Sequence, residues 1–314
     1  MHRMNQQTRF ALHQCEMMMW LLDTLDCINR FPPRAFTIYL KGGTCVQHYL
    51  PHESQRFSID LDFSTCFQEA IGIREKVSAV KGYLHQLNQE LLENGWMKNH
   101  GTFRIPSTHP RFSTICLCGR VFQPIKCPRM SSKALNIHHA AYIKTEFFLY
   151  DTNPEYANQS LSLVSCNYAR RNVVFNLASK TRLLADKIIA LSSEGYGARN
   201  ENKDIIDLKA LSGLDGVNLE SAASMIAGWA QAHLDDAGRQ QPVYPPVKII
   251  HAAREASLAK SQISDRALAE MMGLLYARGR PGYNLRRDEW RKTCLQVADF
   301  LEEQMVPLFS SQSQ

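Results

Sequence analysis

Apolar residues recur at helical spacing over residues 15–27, CEMMMWLLDTLDC, and the pair Pro32 and Pro33 predicts the end of that helix. Residues 35–40, AFTIYL, have the β-branched and aromatic content of a buried strand. Gly42 and Gly43 follow at once, before a helix expected over 44–50. Residues 57–63, FSIDLDF, alternate with period two: Phe57, Ile59, Leu61 and Phe63 share one face, and Ser58, Asp60 and Asp62 the other. Two carboxylates are therefore expected side by side on one strand. Val77, Val80, Leu84, Leu87 and Leu91 then mark a helix over 73–93.

Beyond Gly95 the pattern changes to short β-rich runs broken by Pro106, Pro110, Gly119 and Pro124, with a last strand over 141–150. After about Tyr168 it is helical. One helix begins near Ser179, a second ends at a glycine cap, Gly213, and four more amphipathic runs follow. The fold class expected is α/β with a mixed sheet, followed by a helical C-terminal domain. The boundary falls within 153–171, giving domains at 1–165 and 166–309, with a disordered tail at 310–314.

A chain of 314 residues is long enough for two such domains. Its 36 basic and 30 acidic side chains permit a polyanionic partner without demanding one. Their distribution says more. From Asn94 to Thr145 there is no acidic residue, yet Lys98, Arg104, Arg111, Arg120, Lys126, Arg129, Lys133 and Lys144 lie there, so that stretch is expected to border a negative ligand. Nine cysteines without regular spacing, no signal peptide and no membrane-length apolar run together predict reduced thiols, no membrane partner and a cytoplasmic location.

Two aspartates on one strand face repel each other, and burying either without a partner costs several kcal/mol or forces it to take up a proton. Either that face lies in water or a divalent cation sits there. Mg²⁺ (or Mn²⁺) takes oxygen ligands and commonly bridges carboxylates to substrate phosphates, which makes Asp60 and Asp62 candidate metal ligands. Gly42, Gly43 and Thr44, at a strand-to-helix turn, have the character of a phosphate grip, with the Thr44 hydroxyl as a further contact. The turn matches neither the Walker A loop nor GxGxxG. A grip on one strand and a carboxylate pair on the next describe nucleotidyl transfer from an NTP. Glu146, the first acid after the gap and inside an apolar strand, is the candidate third ligand; the alternative for it is a salt-bridged or solvent-facing glutamate.

Lys41-Gly42-Gly43-Thr44 followed by Arg56-x-Ser58-x-Asp60-Leu61-Asp62-Phe63 resembles the first signature of the AbiEii/AbiGii toxin family of nucleotidyltransferases. This is a branch of the polymerase-β-like superfamily that takes in the MenT-like toxins. A second signature of that family is matched by Leu184-Ala185-Asp186-Lys187 and Lys203-Asp204-Ile205-Ile206-Asp207-Leu208. The resemblance implies a polymerase-β-like fold whose helical domain contributes to the active-site cleft. It also implies that Lys187 and Asp207 are functional, Lys187 meeting triphosphate charge and Asp207 positioning Lys187 or the acceptor. Asp204 is expected to cap its helix or pair with Lys203, and Arg56 to orient the aspartate strand or reach a phosphate. The implied activity is transfer of NMP from an NTP to an RNA acceptor, a tRNA 3′ end, by the toxin of a toxin–antitoxin or phage-defence system with a cognate antitoxin partner. A protein acceptor, or a non-catalytic NTP-binding or interaction toxin, stays open as the alternative.

Cys116 and Cys118, with Cys127, His138 and His139, raise a zinc site, but the Cys-x-Cys spacing fits alternation along a strand better than a zinc knuckle. Residues 278–287, with four arginines and Tyr283, are expected to contact RNA, to bind an antitoxin, or to form a solvated loop.

Overall fold

The glycine pair marks the first structural landmark. Strand β1 (Phe36–Lys41) runs directly into helix α2 (Gly42–His48), with no loop between them. The computed structural model describes residues 12–58, 60–69, 71–93, 103–104, 115–121, 142–149, 155–163, 172–192, 202–237, 245–276 and 281–310. Helix α1 (Leu12–Arg30) precedes β1 and stops just before the proline pair. Strand β2 (Leu61–Phe67), helix α3 (Ile73–Glu93), and strands β3 (Phe103–Arg104), β4 (Ile115–Val121), β5 (Tyr142–Phe148), β6 (Tyr156–Ser160) and β7 (Val174–Ala178) follow.

The strands form one mixed sheet in the order β3-β4-β5-β2-β1-β7-β6. β1 is antiparallel to β2, and β2 is parallel to β5. Alternation gives the sheet two unlike faces. Phe63 and Phe147 are register partners with ring centroids 5.3 Å apart, and Phe175 packs on Phe63 at 5.7 Å. These three fix the apolar face. On α3, Val80, Leu84, Leu87 and Leu91 are buried, as their spacing predicts.

The chain divides into two compact units. The first is Met1–His48 with Phe57–Leu177, and the second is Tyr49–Arg56 with Ala178–Gln314. The sequence pattern puts the changeover at 165/166. The units exchange later because β7 still belongs to the sheet, through the pairing of Leu177 with Leu40. Inside the first half, the segment ending at Arg56 is claimed by the second unit, a long-range association with no local signal.

The second unit is helical. It contains α4 (Lys180–Leu191), α5 (Asn202–Ser212), α6 (Leu219–Ala237), α7 (Pro246–Lys260), α8 (Asp265–Leu275), a 3₁₀ turn (Pro281–Asn284), α9 (Arg287–Phe300), a π turn (Leu301–Met305) and α10 (Val306–Ser310). The Ser179 hydroxyl accepts from the Arg182 amide and caps α4. α4 packs on α5, α6 and α7, and α7 packs on α9. Leu184, Ile188, Ile205, Leu208, Ile250, Val297 and the fully buried Trp290 make this core, and the Trp290 indole donates to the Lys260 carbonyl. Among the described residues no helix is long and apolar enough to cross a membrane.

Most of the acid-free basic stretch, Arg278, Arg280, Cys127, His138, His139 and the 311–314 tail lie outside the described residues. Cys116 and Cys118 fall on strand β4, in keeping with alternation.

Candidate functional site

In the first unit the register decides which carboxylates meet. Asp62 on β2 lies opposite Glu146 on β5, and on its other side opposite Lys41 on β1. Directly opposed residues share a sheet face, so Lys41, Asp62 and Glu146 form a row across three adjacent strands. Glu146 is 8% exposed and Lys41 6%, while Asp62 is half-buried. The row behind consists of Tyr39, Ser64 and Phe148. The hydroxyls of Tyr39 and Ser64 are buried and meet no hydrogen-bond partner among the described residues.

Asp60 departs from the sequence expectation. Period two starts the strand at Phe57, but β2 begins at Leu61, so Asp60 precedes the strand and does not stand on its pleat beside Asp62. The cause is Thr44. Its hydroxyl donates to the Asp60 carbonyl at 2.7 Å and shares a 3.0 Å hydrogen bond with the Ser58 hydroxyl. Thr44, 1% exposed, thus ties Ser58 and Asp60 to α2, ahead of the strand ladder.

Thr44→Val keeps the shape and removes both bonds. Loss of a part-buried hydrogen bond predicts destabilisation by about 0.5–1.5 kcal/mol, with faster amide exchange at Ser58 and Asp60. Urea unfolding with unchanged stability and unchanged exchange would return Thr44 to the role of a phosphate ligand.

Gly42 has a structural reason beside the phosphate grip that its motif suggests. Its φ is +67°, in the left-handed region. A side chain there would overlap the Asp62 carboxylate, its Cβ falling 2.7 Å from Asp62 Cγ and 2.8 Å from Asp62 Cβ. The missing Cβ makes room for a carboxylate. Gly43 continues α2.

The other expected residues assemble within the helical unit. The Arg56 guanidinium forks onto Asp207, with Nε donating to Oδ1 at 2.8 Å and Nη2 to Oδ2 at 2.6 Å. The Lys187 ammonium donates to Asp204 at 2.5 Å and lies 2.8 Å from Asp207. α4 supplies Lys187 and α5 both aspartates, and all four side chains are buried. Asp204, expected as a cap or a partner of Lys203, is instead a ligand of Lys187.

Burial alone would push the Asp207 carboxyl up, but Arg56 and Lys187 outweigh it and hold it at about 2. Burial would likewise lower Lys187 and Arg56; the neighbouring aspartates reverse this and raise both. Tyr276 is pushed up to about 12 by burial, against the pull of Arg56. The sequence gives no sign of Tyr276, since it reaches this cluster only through tertiary packing.

Among the described residues no three His, Cys, Asp or Glu side chains are already gathered as a metal cluster. The donor set nevertheless fits a hard cation. Asp62 and Glu146 offer only carboxylate oxygens on adjacent strands, the carboxylate of Asp62 fills the space left by Gly42, and Asp60 is tethered just ahead of them.

The family model described as "Nucleotidyl transferase AbiEii toxin, Type IV TA system" matches residues 25–285. Among solved structures, MenT4, a nucleotidyltransferase toxin from Mycobacterium tuberculosis, is similar at 12% identity and a TM-score of 0.56, over 98% of this chain and 91% of that one. JHP933 from Helicobacter pylori aligns at 14% identity over 96% of this chain and 99% of that one, with a TM-score of 0.42. No curated protein sequence matches. With the family model spanning both units and both signatures, the chain belongs to the AbiEii nucleotidyl transferase toxin family of type IV toxin–antitoxin systems.

Proposed function

We propose that this chain transfers a nucleoside monophosphate from an NTP to an RNA acceptor, a tRNA 3′ end, as a toxin restrained by an antitoxin partner. The observation that carries the reading is the register of Asp62 with Glu146, which stands two carboxylates side by side on one sheet face. Such a pair is costly to bury alone and is suited to a divalent cation.

Asp60, Asp62 and Glu146 would hold Mg²⁺ or Mn²⁺. Bound there, the metal supplies charge neutralisation at the phosphates and activation of the acceptor oxygen. The acceptor hydroxyl oxygen bonds to the α-phosphorus, the bond from that phosphorus to the α–β bridging oxygen breaks, and pyrophosphate leaves with the electron pair. The hydroxyl proton passes to solvent or a nearby base. The Gly42–Gly43 turn keeps the Asp62 carboxylate in place, and Thr44 keeps Asp60 in place. In the helical unit Asp204 and Asp207 hold the Lys187 ammonium in one position.

The test supplies each NTP labelled at the α-phosphorus, with Mg²⁺, to the pure chain and total cell extract. An RNA-sized labelled band is expected, lost when Asp60 and Asp62 are both changed to Ala. Label in protein would replace the RNA acceptor with a protein one, and no label at all would leave a toxin that acts by binding. Equal labelling by the variant would remove the metal role of these aspartates.

A further inference from the structure

Lys41 ends β1 in the row that holds Asp62 and Glu146, yet the motif reading gives it no role of its own. Its Nζ lies 3.8 Å from the centroid of the Phe148 ring. Phe148 is on β5, and β2 runs between β5 and β1. Neighbouring strands are about 4.8 Å apart, so the lysine stem must cross over β2 to reach that ring. Because Phe148 is the register partner of Ser64, the crossing carries the ammonium over the stretch of β2 that holds Asp62 and Ser64.

We propose that Lys41 is a positioning residue of the carboxylate row: a built-in counter-cation that balances Asp62 and Glu146 when no metal is bound and weakens their affinity for a divalent cation. The proposal rests on the metal role assigned to these carboxylates above. Three features support it. Lys41 is nearly fully buried, so its charge is held inside the unit and not in bulk water. The Phe148 ring face fixes the ammonium at one point through a cation–π contact. Gly42, the next residue, leaves the space that the Asp62 carboxylate fills, so Lys41 and Gly42 together define where Asp62 can stand.

Lys41→Met keeps the stem and removes the charge. Its affinity for Mn²⁺ alone, followed by electron paramagnetic resonance on the full chain, is expected to be about tenfold tighter than wild type, since a fixed like charge nearby no longer opposes the cation. Its metal-free melting temperature should fall, and saturating Mn²⁺ should restore it. Lys41→Arg should keep the wild-type Mn²⁺ affinity.

A lysine that only packs would lower the melting temperature with Mn²⁺ affinity unchanged, and that result overturns the proposal. Should Lys41→Met fold only with Mn²⁺ present, the metal is standing in for the ammonium, as proposed; a variant unfolded with and without Mn²⁺ overturns it. Failure of the underlying metal reading is separate, because then the wild-type chain itself binds no Mn²⁺.

Discussion

Gly42→Ala is expected to destabilise the sheet unit by about 2–5 kcal/mol and, on the metal role proposed for the carboxylate row, to abolish divalent-cation binding there. Two costs combine. Holding alanine at φ +67° is worth about 1–2 kcal/mol, because the methyl group crowds the following carbonyl. Its overlap with Asp62 adds about 1–3 kcal/mol, since the carboxylate, the strand or the helix start must shift to relieve it. A double-mutant cycle separates them. In the Asp62→Ala background the carboxylate is gone and only the backbone cost should be left, so the two substitutions should be strongly non-additive. Additive losses in urea unfolding would mean that the methyl group does not meet Asp62, and that the glycine serves the turn alone.

This dual reason for one glycine shows where sequence reading works and where it stops. The motif signals that a glycine is needed at the strand-to-helix turn, and the structure supplies a different neighbour. A phosphate approaching the backbone and a carboxylate approaching from β2 leave the same mark in the sequence, because both need only that Cβ be absent.

The two faces of β2 were legible because alternation is a local property. Phe63 does face the core, and Asp62 does face the other way. The start of the strand was not legible, because it is set by a hydroxyl on α2 far away in sequence. The pairing of Asp62 with Glu146 and Lys41 depends on register and strand order, which no window of residues contains.

The same holds in the helical unit. The helix expected to begin near Ser179 does so, with Ser179 as its cap, and Leu184, Ile188, Ile205 and Leu208 are buried. Lys187 and Asp207 stand out only through their likeness to a family signature. That Asp204 turns to Lys187 and that Arg56 forks onto Asp207 follow from packing between segments remote in the chain. Charged residues at such positions read as surface until a partner is placed beside them.

The partners make Asp207 the second site of large effect. Two cations, Arg56 and Lys187, are balanced by two carboxylates, Asp204 and Asp207, and Asp207 touches both cations. Asp207→Ala leaves one carboxylate for two buried positive charges, and the expected loss is about 3–5 kcal/mol of helical-unit stability. Asp204→Asn, which leaves the Arg56 fork intact, should cost less. The charge-free pair Arg56→Met with Asp207→Leu should recover much of the loss, because the desolvation cost of the ions goes with them.

Acid supplies an independent check. Asp207 titrates at about 2 in the folded chain against 3.8 for the ordinary carboxyl, so the unfolded chain binds this proton first as pH falls. Its contribution is fully present above about pH 4 and is lost as pH falls through 2, on the order of 2 kcal/mol in all. The stability gap between wild type and Asp207→Ala should therefore narrow between pH 5 and pH 2, measured by urea unfolding. A gap that stays constant across that range would mean that Asp207 takes up its proton at the same pH folded and unfolded, and a gap that widens on acidification would mean that it is buried uncharged; either result ends the ionic account of this network.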